Sequence, residues 1–307
     1  MNAVQFDDDP ISGWHARAVT GLSTVSSNAM TVDVEDYFQV EAFFSHVDRK
    51  DWNKWECRIE RNVDRILQLF ADNNTKATFF TLAWIAERFP QVVRNIVSNG
   101  HELASHGMAH IRADQQSRPM FAADVTRAKH TLEDIGGVPV HGYRAASFSI
   151  ARRNLWAFNA LEGAGYRYSS STFPIRHDLY GMTEQPRFAF YPFEDSKFME
   201  IPITTVRRMG SNWPSGGGGY FRLLPYALFR QNLKLVAARD KQPFMFYFHP
   251  WEIDPKQPRI AGTSLKTRVR HYLNLGRMHG RLSQLLKDFR WNRVDRIYPI
   301  DAAPTSQ

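Results

Sequence analysis

From Ala29 onward the apolar positions alternate between strand-like and helix-like spacing. Met30 to Val34 is a short β-branched run, and Cys57 to Phe70 places Ile59, Val63, Ile66, Leu67 and Phe70 at helical intervals before the stop at Asn73 and Asn74. Lys76 to Leu82 predicts a strand, Trp84 to Val97 a helix, and the HELASH segment after Gly100 a strand running into a loop. Phe121, Val125, Ala128, Leu132 and Ile135 form a helical stripe closed by Gly136 and Gly137, with Pro139 to Arg144 extended beyond it and another helix from about Arg152. Tyr166 to Ser171 and Lys197 to Ile203 predict further strands, Pro225 to Arg239 a helix opened by proline, and Phe244 to Phe248 a buried strand. The tail from about Leu265 is helical in pattern, with His271, Tyr272, Leu275 and Met278 on one side and Leu282, Leu285, Leu286 and Phe289 further on. Such alternation predicts parallel strands covered by helices, as an open doubly wound sheet or a closed barrel, and the pattern leaves both open.

Composition constrains the chemistry more than the fold. The 307 residues suit one large α/β domain, and 43% hydrophobic with 23% charged residues is ordinary for a globular chain. A formal charge of +8 favours acidic partners such as anionic glycans or membrane surfaces; basic residues look scattered and no nucleic-acid motif appears, so no nucleic-acid partner is expected. Cys57 is the single cysteine, so a disulfide within the chain is excluded and any metal must use His, Asp or Glu. The first residues are acidic at Asp7, Asp8 and Asp9 and lack the basic-then-apolar order of a signal peptide, and no run of about 18 apolar residues could span a bilayer. The expectation is a cytoplasmic protein with a flexible leader over residues 1–28.

Ionisable residues collect where the predicted strands end: Asp33, Glu35 and Asp36, then His106 and His110, then Arg144, then His249. In parallel α/β folds the loops at the carboxyl ends of the strands converge on the active site, so these distant clusters can meet there. His106 and His110 stand four apart, which on one helical turn would place two imidazoles side by side for a divalent cation; exposed or hydrogen-bonded loop histidines are the plainer alternative. A carboxylate from TVDVEDYF would complete a two-His, one-carboxylate set with positions left open for water and substrate, although a solvated acidic loop explains the same acids. His249 could equally be a core histidine and Arg144 a surface ion pair. Ser147 and Ser149 lack a nucleophile-elbow pattern, and Gly216 to Gly219 lack the Lys-Ser or Lys-Thr of a phosphate loop and read as a mobile loop over substrate.

In this order, TVDVEDYFQV, GHELASHGMAH, GYRAASFSI, MEIPIT and FYFHPWEID resemble the polysaccharide deacetylase family, the NodB-like carbohydrate esterases. Within it the chain looks most like the subgroup found with exopolysaccharide biosynthesis and exosortase loci, whose C-terminal extension is echoed in GGGGYFRLLPY and HYLNLGR. The resemblance implies a distorted (β/α) barrel of about seven parallel strands with a C-terminal helical extension. It divides the chain into the leader, a deacetylase domain over residues 29–262 and a basic helical extension over 263–307 packed on the same domain.

The resemblance also implies roles. Asp33 would be the general base, Arg144 the arginine that holds it, His249 the general acid, and His106 and His110 the metal-binding histidines. Family members place the metal carboxylate one or two positions after the base; Val34 fills the first, so Glu35 is preferred and Asp36 comes second. A divalent metal, zinc first, would activate water against an acetamide carbonyl, with a backbone N–H near Tyr37 or Ser171 facing the oxyanion and His249 protonating the departing amine. Trp251 and Tyr220, with Trp52 and Trp55, supply aromatic faces for sugars, although such residues are more often core.

Two positions depart from the subgroup, Ala146 in place of proline and Ser169 in place of aspartate, and losing that carboxylate predicts a slower or altered reaction. The expected activity is removal of N-acetyl groups from amino sugars of a bacterial polysaccharide or its precursor, with an N-acetylated oligo- or polysaccharide as substrate and peripheral association with a membrane polysaccharide assembly complex. A catalytically weak carbohydrate-binding scaffold, motivated by Ser169 and Ala146, and a metal-dependent amidase on a small C–N substrate are the competing readings.

Overall fold

The computed structural model describes residues 14–19, 27–177, 181–194, 196–298 and 300. An edge strand β1 (Trp14–Ala18) precedes the central strand β2 (Asn28–Val34), which is followed by α1 (Ile59–Asp72), β3 (Thr78–Thr81), α2 (Ala83–Arg88), α3 (Pro90–Ser98) and β4 (Glu102–Ser105). Next come α4 (Arg118–Gly136), β5 (Gly142–Tyr143), α5 (Trp156–Gly163), β6 (Tyr168–Ser169), β7 (Phe190–Phe193) and β8 (Met199–Glu200). A hairpin of β9 (Thr205–Arg208) and β10 (Ser211–Pro214), helices α6 (Gly218–Leu223) and α7 (Tyr226–Leu235), and strand β11 (Met245–Phe248) lead to α8 (Leu265–Tyr272), α9 (Leu275–Asp288), β12 (Trp291–Asn292) and α10 (Val294–Ile297).

Hydrogen bonding joins β11, β2, β3, β4, β5, β6 and β8 as seven parallel neighbours, with β7 and β1 continuing antiparallel at one end and β12 pairing with β2 off the row. Irregular chain closes the row into a distorted barrel. Met245 N–H donates to Thr204 Oγ1 at 2.6 Å, and Tyr247 N–H donates to the Gly216 carbonyl at 2.8 Å. The alternation of β2 fixes what lies inside. Met30, Val32 and Val34 face outward into the largest apolar cluster with α1, α7 and α9, while Ala29, Thr31 and Asp33 point into the barrel.

Most predicted elements appear, and the differences have identifiable causes. Trp84 to Val97 is two helices, because Pro90 disfavours helical geometry at Phe89, which sits at φ −129° and ψ 62°. The helix after Pro225 ends at Leu235 and gives way to a wider turn over Val236–Asp240. Within the expected leader, Trp14–Ala18 is a strand paired with β7 rather than flexible chain; the rest of residues 1–28 before Ser27, apart from Val19, lies outside the described residues. The C-terminal tail joins the same core, since α9 buries Met278, Leu282, Leu285 and Leu286 beside the outward face of β2.

Candidate functional site

Four strand ends, those of β2, β4, β5 and β11, meet over the barrel mouth. Asp33, one residue before the end of β2, has Arg144 Nη1 2.5 Å from its Oδ1. Arg144 follows β5 and is fully buried; its remaining donors reach Thr31 Oγ1 at 2.9 Å, the Ser170 carbonyl at 3.1 Å and Ser170 Oγ at 3.0 Å, and its guanidinium lies 4.0 Å over the Phe80 ring. A cation this deep in the barrel needs a carboxylate partner, and Asp33 is that partner.

Glu35, in the loop after β2, stands 2.8 Å through Oε2 from His110 Nε2 and 3.4 Å through Oε1 from His249 Nε2. Burial pushes its pKa up, but His110 and His249 outweigh it and hold the carboxyl at about 2. His106, directly after β4, has Nδ1 2.7 Å from the Arg144 carbonyl, which leaves Nε2 for a ligand. Glu35, His106 and His110 each offer a ligand atom within 4.8 Å of the others, all three buried. Among the described residues, His110 Nδ1 also has no hydrogen-bond partner. Two imidazoles and one carboxylate with spare lone pairs fit a divalent cation.

The histidine pair forms by a different route from the helical turn the spacing suggests. Residues 106–110 are a loop, turned by Gly107 at φ 78° and by His110 itself at φ 52°. Arg49 fastens the turn by donating to the carbonyls of Ala109 and His110, both at 2.8 Å.

Asp36 does not join the cluster, which corrects its expected place as a metal ligand. Its Oδ2 accepts from Arg58 N–H at 2.5 Å and the Cys57 thiol at 3.0 Å, and its Oδ1 accepts from Tyr37 N–H at 2.8 Å. Tyr37 is core, and its N–H is already committed. Ser171 is corrected likewise: it is buried and its N–H donates to Glu200 at 2.9 Å. Tyr220 packs among apolar side chains and is not part of the cleft lining, and Trp52 is core. Trp251 does reach the site and lines a cleft of about 180 Å³ with Asp33, Glu35, His106, His110, His249, Ser147 and Tyr247.

Sequence reasoning missed Glu252. It is buried, its Oε1 lies 2.8 Å from His249 Nδ1, and its Oε2 accepts from Arg222 Nε at 2.7 Å. Burial raises its pKa, and Arg222 and His249 together more than reverse the shift and keep it ionised. For His249, burial lowers the pKa, but Glu35, Glu252 and Asp33 together raise it to about 9. A cation on Glu35 would cancel much of that carboxylate's share, leaving Glu252 as the lasting anionic partner. The signal was in the sequence: an acid three residues after His249 in HPWE, on one turn with it.

Gly216 to Gly218 are packed rather than a mobile cover. A Cβ on Gly216 would meet the Met245 carbonyl at 2.6 Å, and one on Gly218 would meet Glu252 Oε1 at 2.3 Å. Ser169 is not part of the cleft lining; it is fully buried, and its hydroxyl donates to Glu200 and accepts from Ser171 Oγ.

Comparison with known proteins finds similarity to carbohydrate deacetylases. Residues 51–169 match the family model described as polysaccharide deacetylase, and residues 170–299 match one described as a domain of unknown function, DUF3473. The chain is 29% identical over 73 residues to a peptidoglycan-N-acetylglucosamine deacetylase of Bacillus cereus, covering 24% of this chain and 26% of the relative. It is 40% identical over 45 residues to a chitooligosaccharide deacetylase of Sinorhizobium fredii, covering 15% of this chain and 21% of the relative. These matches span under a third of each relative. A crystal structure from Mycobacterium smegmatis, assigned as a polysaccharide deacetylase, superposes with a TM-score of 0.58 at 17% identity over 92% of both chains, which shows a shared fold.

Proposed function

We propose that this chain, a member of the polysaccharide deacetylase family, is a metal-dependent hydrolase that removes N-acetyl groups from amino sugars of a bacterial polysaccharide or its precursor. The observation that carries the reading is the Glu35, His106, His110 cluster with Asp33 on one side and His249 on the other. Bound there, a divalent cation, zinc in this reading, supplies Lewis acidity toward the acetamide carbonyl and the attacking water.

The chain's own groups do the rest. Asp33, fixed by Arg144, takes the proton of the attacking water. The N–H groups of Tyr37 and Ser171 are engaged elsewhere, so neither is free to face the developing oxyanion. His249, 3.9 Å from Asp33 through Nε2, gives its proton to the sugar nitrogen as the C–N bond breaks, releasing acetate and the free amine. Glu252 keeps the Nδ1 proton and aims Nε2 into the cleft.

The test is acetate release from N-acetylated oligosaccharides by the purified protein with added zinc. Wild type should release acetate and His106→Ala should release none; undiminished release from His106→Ala, or silence from wild type with every divalent metal, contradicts the proposal.

A further inference from the structure

The cations that look scattered along the sequence have a local imbalance. From Pro255 to Lys287 there are eight Lys and Arg residues and no Asp or Glu, so this segment holds the whole +8 formal charge and the rest of the chain is balanced. The segment adjoins the site: His271, in the last turn of α8, stacks on Trp251 at 4.0 Å, and Arg259 lies 4.7 Å over the Tyr272 ring.

Helix α8 is unusual in what it shows to solvent. Only His271 among its residues is buried, while Leu265 is 76% and Val269 49% exposed. These two aliphatics stand one turn apart on the same side, with Arg268 exposed beside Val269. A helix of eight residues gains little from propensity, and this one leaves its two aliphatic side chains, Leu265 and Val269, in water. Cations alone would suit any polyanion. Aliphatic side chains set among cations suit the boundary between anionic headgroups and acyl chains, where both are satisfied.

We propose that α8 and the loop before it dock the protein on an anionic lipid surface. Resting on the deacetylase reading, this would hold the cleft beside the headgroup layer, where a membrane-linked glycan is presented; the docking itself is independent of that reading.

The experiment is co-sedimentation of the full chain with phosphatidylcholine vesicles and with equimolar phosphatidylcholine and phosphatidylglycerol vesicles, at low and high salt. Binding should require phosphatidylglycerol and weaken with salt. Paired Leu265→Asp and Val269→Asp, and separately Arg268→Glu, should each weaken it by about tenfold, with circular dichroism and acetate release from a short soluble oligosaccharide unchanged. Met209→Asp, at the exposed tip of the β9–β10 hairpin, should bind as wild type does. Equal binding to both vesicle types, no binding, or loss in Met209→Asp but not in the α8 variants overturns the proposal. So does binding that needs Arg268 but not the aliphatics, since that describes a site for soluble polyanions. Loss of acetate release with lipid binding intact would count against the enzyme reading alone.

Discussion

At the scale of single residues, the site rests on which carboxylate faces which cation. Three close pairs share the barrel mouth: Arg144 with Asp33 and His110 with Glu35, both buried, and the partly exposed His249 with buried Glu252, the last tied to Arg222. Removing one member of such a pair strands the other. Glu252→Gln keeps an oxygen near His249 Nδ1 but removes the charge that favours the imidazolium. We expect kcat to fall by roughly tenfold to a hundredfold with KM nearly constant, as for loss of a supporting partner. The alkaline limb of the pH–rate profile should move to lower pH, because an imidazolium without its anion loses its proton more easily. An unmoved limb would make Glu252 merely structural. Much of this scale was legible in the sequence: Asp33, His106, His110, Arg144 and His249 all reach the barrel mouth. Glu35 and Asp36 could not be separated, because the choice depends on a turn that hands Asp36 to Arg58 and Cys57, contacts that no local spacing encodes.

At the scale of elements, the loops do what strand and helix patterns cannot announce. Apolar periodicity marked β2, β4, α4 and β11 well, since each buries a regular face. The edge strand β1, its neighbour β7 and the two-residue strand β12 carry too little periodic signal to be seen. The glycine run shows the same limit. Its composition suggests mobility, but Gly217 bridges Tyr247 at the barrel seam and Gly218 leaves the space that Glu252 fills. Gly218→Ala should therefore push Glu252 off His249 and lower kcat by about as much as Glu252→Gln does, whereas Gly219→Ala, whose Cβ meets nothing within 4 Å, should be neutral. Equal rates for both variants and wild type would refute this placement.

At the scale of the whole molecule, the sheet runs without a break through both matched halves. The metal-type cluster lies in the chain before residue 170, and His249, Glu252 and Arg222 come from residues 170–299. The C-terminal half thus completes the site instead of adding to it. Among the described residues no helix is long and apolar enough to cross a membrane.

Folding stability should also carry a mark of burial. His101 accepts a hydrogen bond from Ala77 N–H at 3.1 Å and is held neutral, burial and the nearby Lys76 and Arg293 lowering its pKa to about 4. The unfolded chain takes up that proton near pH 6.5, so His101 contributes stability above that pH and loses it as pH falls toward 4. Thermal unfolding should show Tm dropping through this window, with a shallower drop in His101→Gln; identical slopes would contradict it.

The most direct test of the central claim is metal content after dialysis, measured side by side for wild type, Glu35→Gln and Asp36→Asn. One divalent ion per chain is expected in wild type and in Asp36→Asn, and close to none in Glu35→Gln. An ion retained by Glu35→Gln, or lost from Asp36→Asn while that variant remains folded, would contradict the account.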